Sequence, residues 1–148
     1  MRISAKAKYA LSSMLYMAQY SKSKEFITIQ TLSDKLNISR IYLEQVFALL
    51  KRSNLVISAK GSQGGYQLAQ TPKNISIYSI LMATENSLFE KSAGEKTNTD
   101  LFIEEILQNF VLDKLDSIIE DTLVNISLDD LLSELEKTTA KEGGMYQI

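Results

Sequence analysis

Residues 60–65 read Lys-Gly-Ser-Gln-Gly-Gly, and no other segment limits the fold so tightly. Three of the chain's six glycines fall in this one run, so its backbone needs angles that other residues avoid. β-Favouring triplets stand on either side, Leu55-Val56-Ile57 and Tyr66-Gln67-Leu68. Two short strands joined by a glycine-rich tip make a hairpin. The segment before it is helical in pattern. Thr28 can cap a short helix that points Leu32 and Leu36 inward, Asn37 suits a left-handed stop, and Ile38 fills the turn. Ser39 then caps a helix over 40–52. Its buried stripe is Leu43, Val46, Phe47 and Leu50; Arg40, Ile41, Glu44, Gln45, Ala48 and Lys51 lie opposite. A short helix, a tight turn and a longer helix have helix-turn-helix spacing. With a hairpin directly behind, the pattern is a winged helix. The loop lies between strands and does not open a helix, which disfavours a phosphate cradle for nucleotides.

The rest of the chain reads as helix. Ser4 can cap an amphipathic helix over 5–20, with Ala7, Ala10, Leu11, Met14, Leu15 and Ala18 on one face. Residues 21–26 read as a polar connection. Pro72 closes the wing, and Ser76 caps a fourth helix carrying Ile77, Ile80 and Leu81. Residues 86–99 read as a polar, mobile loop. A long helix follows from Asp100 to about Val124, with apolar positions from Leu101 through Leu123. That stripe is too wide for one-sided packing. A second copy of the chain is therefore expected to cover it, with Leu107, Phe110, Val111 and Ile118 at the interface. Ser127 caps a last helix reaching Leu135, and residues 141–148 read as a flexible tail. The expected class is mainly α with a small β-wing. Residues 1–85 form the winged helix-turn-helix domain, 86–99 a loop, 100–140 a helical dimerisation region, and 141–148 the tail.

Charge divides along the same line. Residues 1–73 hold 11 Lys/Arg against 3 Asp/Glu; residues 74–148 hold 5 against 15. The halves carry +8 and −10, hidden inside a net charge of −2. A basic front suits a polyanion. The 148 residues include no Cys, His or Trp. That excludes thiolate nucleophiles, histidine bases, Cys/His zinc sites and cysteine-held clusters. The acidic residues sit at i, i+1 or i, i+3 on polar helix faces and read as solvation. No enzyme, no catalytic residue, no metal and no cofactor is expected. Arg2, Lys6 and Lys8 ahead of Tyr9–Ala18 imitate a signal peptide, but Ser12 and Ser13 interrupt the apolar stretch. No run reaches 18 apolar residues, and a cytoplasmic protein is expected.

The stretches MRISAKAKYAL, ISRIYLEQVFALLKRSNLV and SAKGSQGGYQLA occur in this order at close spacing. Together they resemble the Rrf-two family of winged-helix transcriptional regulators, with YLEQ and GGY the most specific marks. The resemblance covers about residues 1–85 well and rests on layout beyond. It implies a dimeric DNA-binding regulator, usually a repressor, on a palindromic operator in double-stranded DNA. The helix over 40–52 would be the recognition helix, entering the major groove by its N-terminal turns. Glu44 can accept from cytosine, Gln45 can pair with adenine, and Arg40 can reach guanine or a phosphate. Arg2, Lys6, Lys8, Ser39, Tyr42, Lys51 and Arg52 are candidates for the DNA backbone. Lys60, Gly61, Ser62, Gln63, Gly64 and Gly65 would reach the minor groove. Lys60 stands where family members commonly carry Arg, which favours phosphate contact over shape reading. The plainer readings are a solvated helix face and a purely structural hairpin. Many members hold an iron–sulfur cluster through three cysteines between the fourth and the long helix. This chain has none of those ligands. In the family's cysteine-metabolism branch the regulator pairs with cysteine synthase. The terminal Ile148, on a Gly143-Gly144 lead, could enter such a partner's pocket, with a disordered end as the plainer reading. A winged-helix interaction module that reads no DNA is the competing function.

Overall fold

A computed structural model describes residues 2–61, 64–90 and 100–145. Helix α1 spans Ala5–Ala18, and the Ser4 hydroxyl accepts from the Ala7 N–H at 3.2 Å. The Ser4 N–H in turn donates to both carboxylate oxygens of Glu85, at 3.1 and 3.2 Å. An acid at a helix N-terminus is favoured by the helix dipole. Helices α2 (Ile29–Leu36) and α3 (Arg40–Arg52) begin at their expected caps. The Thr28 hydroxyl accepts from Thr31 and the Ser39 hydroxyl from Tyr42. Asn37 between them takes the left-handed conformation, φ 55 and ψ 46.

The wing is the antiparallel pair β1 (Val56–Ser58) and β2 (Tyr66–Leu68), with Val56 opposite Leu68. A third strand of a single residue joins it. Ile27 and Tyr66 exchange two backbone hydrogen bonds of 2.8 Å each. The segment read as a polar connection thus runs into the sheet edge. One residue of pairing leaves no alternation to detect. Pro72 opens a short 3-10 turn, Pro72–Asn74, and α4 spans Ile77–Thr84 behind its Ser76 cap.

The expected long helix is present as α5 (Leu101–Leu107), a π-turn (Gln108–Leu112) and α6 (Asp113–Val124). The Gln108 side chain bridges the π-turn by donating to Asp113 at 2.7 Å. Three boundaries differ from expectation. Residues 86–88 form a 3-10 turn and Phe89 packs edge-on against Tyr78 at 4.9 Å, so the expected loop begins as ordered structure; residues 91–99 lie outside the described residues. The last helix, α7, spans Leu128–Met145 and so takes in both the Leu135 stop and residues 141–145 of the expected tail. Gly143 stays out of the left-handed region that a glycine stop requires, and no proline follows Leu135 to end the helix. The Gly143-Gly144 lead to Ile148, expected to be flexible, is instead helical as far as Met145; Ile148 itself lies outside the described residues.

The third difference concerns the boundary at residue 85. The core consists of Ala7, Ala10, Met14, Met17, Leu32, Leu43, Val46, Phe47, Leu50, Ile80 and Leu81 with their neighbours, and Leu128 is fully buried among them. The Ile77 N–H donates to Ile126 at 2.9 Å and the Leu128 N–H to Ile75 at 2.8 Å. Helix α7 packs on α1, and α6 on α4. The front domain and the start of α7 share one core. A two-residue backbone bridge and a single leucine have no sequence signature, which is why residue 85 reads as the end of a domain followed by a loop.

Truncating Leu128→Ala is expected to destabilise the whole winged helix by about 2–5 kcal/mol, as for other core leucines. A single cooperative denaturant transition that shifts to lower midpoint checks it. Ser13 is the opposite case. Its hydroxyl is buried with no hydrogen-bond partner among the described residues. Ser13→Ala is expected to raise stability by about 1 kcal/mol, visible as a higher melting temperature.

Candidate nucleic-acid interface

Helix α3 is two-sided. Leu43, Val46, Phe47 and Leu50 are fully buried. Arg40, Ile41, Glu44, Gln45, Ala48, Lys51 and Arg52 are exposed. The caps, the left-handed Asn37 and the buried Ile38 set the angle between α2 and α3. The outward face is therefore rigid in direction although its side chains are in water. On it, Arg40 donates to Gln30 of α2 at 3.1 Å and lies 3.9 Å from the Glu44 carboxylate. Gln30 also donates to Asp34 at 2.9 Å. This exposed chain of contacts ties the first turn of α3 to α2 and holds Arg40 beside Glu44. Gln30 as a partner of Arg40 is not visible in the sequence, since the two are ten positions apart across a turn.

The other expected contact residues divide by role. Ser39 spends its hydroxyl on the cap of α3. Tyr42 is half-buried and packs edge-on against Tyr9, ring centroids 5.1 Å apart. That contact seats the part of α1 carrying Lys6 and Lys8 against the first turns of α3. Arg2 and Lys8 are exposed and Lys6 is half-buried. Lys51 donates to the Ser58 hydroxyl at 2.7 Å and so links α3 to β1. Arg52 is exposed.

In the wing, Gly61, Gly64 and Gly65 all have positive φ, 142°, 56° and 116°. They differ in surroundings. A Cβ at Gly61 or Gly64 would meet open space, whereas at Gly65 it would lie 3.1 Å from the Ile27 backbone and the Phe26 Cβ. Gly65 is thus a structural residue, required by the Ile27–Tyr66 bridge, while Gly61 and Gly64 have open space where a side chain would stand. Lys60 and Gly61 are exposed. Ser62 and Gln63 lie outside the described residues. An open groove of about 560 Å³ separates the tip from the segment before α2. Lys24 lines it together with Lys60. Lys24 has φ 55, and its carbonyl accepts from the Gln67 side chain at 2.6 Å. Lys24 is a cation of the wing region that sequence reading placed in a plain connection. Its link to Gln67 spans 43 positions and leaves no local pattern.

No group of acidic residues able to hold a metal occurs among the described residues, and the chain has no Cys or His. No helix is long and apolar enough to cross a membrane among the described residues. A basic α3 face and wing on a helical scaffold define a winged-helix protein of the nucleic-acid-binding class. Residues 3–134 match the Rrf2 family, described as an iron-dependent transcriptional regulator, and the chain belongs to that family. It is 35% identical over 88 residues to the HTH-type transcriptional regulator IscR of Vibrio cholerae, covering 60% of this chain and 50% of that protein. It is 35% identical over 95 residues to IscR of Cereibacter sphaeroides, covering 64% and 61%. The matches thus span about half to two thirds of these relatives' length. Among solved structures, T. potens IscR superposes with a TM-score of 0.72 at 27% identity, covering 93% of this chain and 90% of that one. CymR of B. subtilis, the global cysteine regulator of that organism, gives 0.74 at 24% identity, covering 90% and 98%, a likeness of fold. The family comprises transcriptional regulators, not enzymes. Its iron-dependent description finds no thiolate or imidazole in this chain to serve it.

Gly65→Ala is expected to cost about 1–3 kcal/mol, because it adds a side chain at a strained angle against a backbone that cannot yield. Gly64→Ala is expected to cost less, because its φ of 56° lies in the left-handed region that other residues can enter and its Cβ would meet open space. Paired urea titrations of the two variants check the order.

Proposed function

We propose that this chain is a sequence-specific DNA-binding repressor that acts as a homodimer on a palindromic operator in the cytoplasm. The observation carrying the reading is the α3 face: Arg40, Glu44 and Gln45 are exposed on a helix whose other side is locked in the core. Glu44 and Gln45 read base edges, and Arg40 steadies Glu44 while reaching for a base or phosphate. Arg2, Lys6, Lys8, Lys51 and Arg52, with Ser39 and Tyr42 at the helix start, address the DNA backbone. Lys60 and the glycine tip follow the strand into the minor groove, and Lys24 adds charge behind them.

The dimer rests on apolar exposure. Phe110 is 69% exposed, Ile118 57%, Leu107 49% and Val111 45%, within a run of exposed apolar residues from Leu101 to Val124. Patches of that extent on a lone molecule mark interaction sites. A second copy seated there would place two α3 helices on half-sites about one DNA turn apart, about 34–36 Å. Repression then follows from occupancy. Without Cys or His, neither an iron–sulfur cluster nor thiol oxidation serves as the signal.

The test is DNA binding by the purified chain at graded salt. Affinity for a selected operator is expected to fall about 10³-fold or more between about 50 and 200 mM salt, as for roughly six phosphate contacts. A protein-interaction module that reads no DNA would show no selected sequence and no footprint. Phe110→Asp and Ile118→Asp are each expected to give monomers by light scattering, with loss of operator binding. Retention of a stable dimer in both would remove this interface. Glu44→Ala is expected to cost about 1–3 kcal/mol and relax preference at one base pair.

A further inference from the structure

Ile41 is the most exposed large apolar side chain of the winged helix, at 73%. It sits in the first turn of α3, two residues before the buried Leu43. Its position is the middle of the outward face, in line with Gln45 at i+4 and Ala48 at i+7, both exposed. Nothing in the described fold uses it for packing. Polar Arg40 and Glu44 flank it and leave it uncovered. A β-branched side chain in a helix is held near one χ1 rotamer, so its methyl groups are presented in a fixed direction. Ala48, one turn beyond Gln45, lets the helix approach closely because it has almost no side chain.

We propose that Ile41 is a specificity-determining residue that reads the C5-methyl group of a thymine in the major groove. The inference rests on the DNA-reading function proposed above and adds to it an apolar element of the operator. The reasoning is chemical. Hydrogen-bonding edges on the bases suit Glu44 and Gln45, and the thymine methyl is the one apolar group exposed on the major-groove edge. An isoleucine at the centre of a recognition face has no hydrogen bond to offer and gains only by burial against such a group. Each half-site then carries a T·A pair beside the pairs reached by Glu44 and Gln45.

The experiment uses the full chain and the operator recovered from random duplex DNA. Each thymine of the footprint is replaced singly by deoxyuridine, which keeps every hydrogen bond and removes the methyl. At one thymine per half-site, affinity is expected to fall about fourfold, and about fifteenfold when both half-sites are changed, as for a buried methyl. Ile41→Ala is expected to bind the thymine and deoxyuridine operators equally, while Ile41→Val keeps the preference. Ile41→Ser takes the place of Ile41→Ala if that variant fails to fold, and it is likewise expected to bind the two operators equally. Equal binding of all deoxyuridine operators by the wild-type chain overturns the proposal and leaves the DNA-binding function standing. So does a methyl preference that persists in Ile41→Ala. Failure to recover any operator overturns both.

Discussion

The burial of one face of α3 is the constraint on which the rest of the molecule depends. Leu43, Val46, Phe47 and Leu50 are all fully buried, and each such side chain contributes on the order of 1.5–3 kcal/mol relative to exposure. Every neighbouring element is placed by that stripe. Helix α1 packs on α3 and brings the fully buried Ala7 and Ala10 into the same core. Helix α4 supplies Ile80 and Leu81. The wing is fastened from the other side, where the Phe47 and Tyr66 rings stand 4.7 Å apart. A helix cannot rotate about its axis without pulling four leucine-class side chains from a packed core. The direction of Ile41, Glu44 and Gln45 is therefore a consequence of hydrophobic packing behind them.

Much of this was legible in the sequence because it is local. Thr28, Ser39 and Ser76 cap the helices they were expected to cap, and Asn37 is left-handed where a stop was expected. Such features depend on one residue type and its position relative to a periodic stripe. The parts that escaped are those with no local period. The Ile27–Tyr66 bridge joins residues 39 positions apart through a single pair. The Ile126 and Leu128 bonds to Ile77 and Ile75 are equally brief. The continuation of α7 through Gly143 depends on the glycine's conformation, which its identity leaves open. The π-turn at Gln108–Leu112 adds a residue within an otherwise regular helix, and apolar periodicity over 101–124 is broad enough to conceal it.

The charge split acquires a structural meaning of the same kind. The acidic residues Glu104, Glu105, Asp113, Asp116, Glu120 and Asp121 fall on the helical stretch from α5 to α6. The basic residues fall on α1, α3 and the wing region. DNA phosphate attracts one end and repels the other, so the field of the whole chain favours approach by the α3 side. This is a contribution to encounter and orientation. It carries no sequence information, which in the proposed DNA-reading role is left to the few side chains on the outward face of α3.

Distance between the two ends does not make them independent. Helix α6 packs on α4, and α4 packs on both α1 and α3. Leu128 enters the same core from the start of α7, and Glu85 at the end of α4 holds the N-terminus of α1. Packed interiors transmit displacement rather than absorb it. In the dimeric reading, the apolar face of α5 and α6 sets the separation of two copies. The continuous packing through α4 carries that separation to α3. The spacing of half-sites on the DNA is then fixed by side chains that never touch it. An effector that shifted α6 against α4 by a fraction of a helical turn would alter the fit to both half-sites at once, and it would need neither cysteine nor histidine to do so.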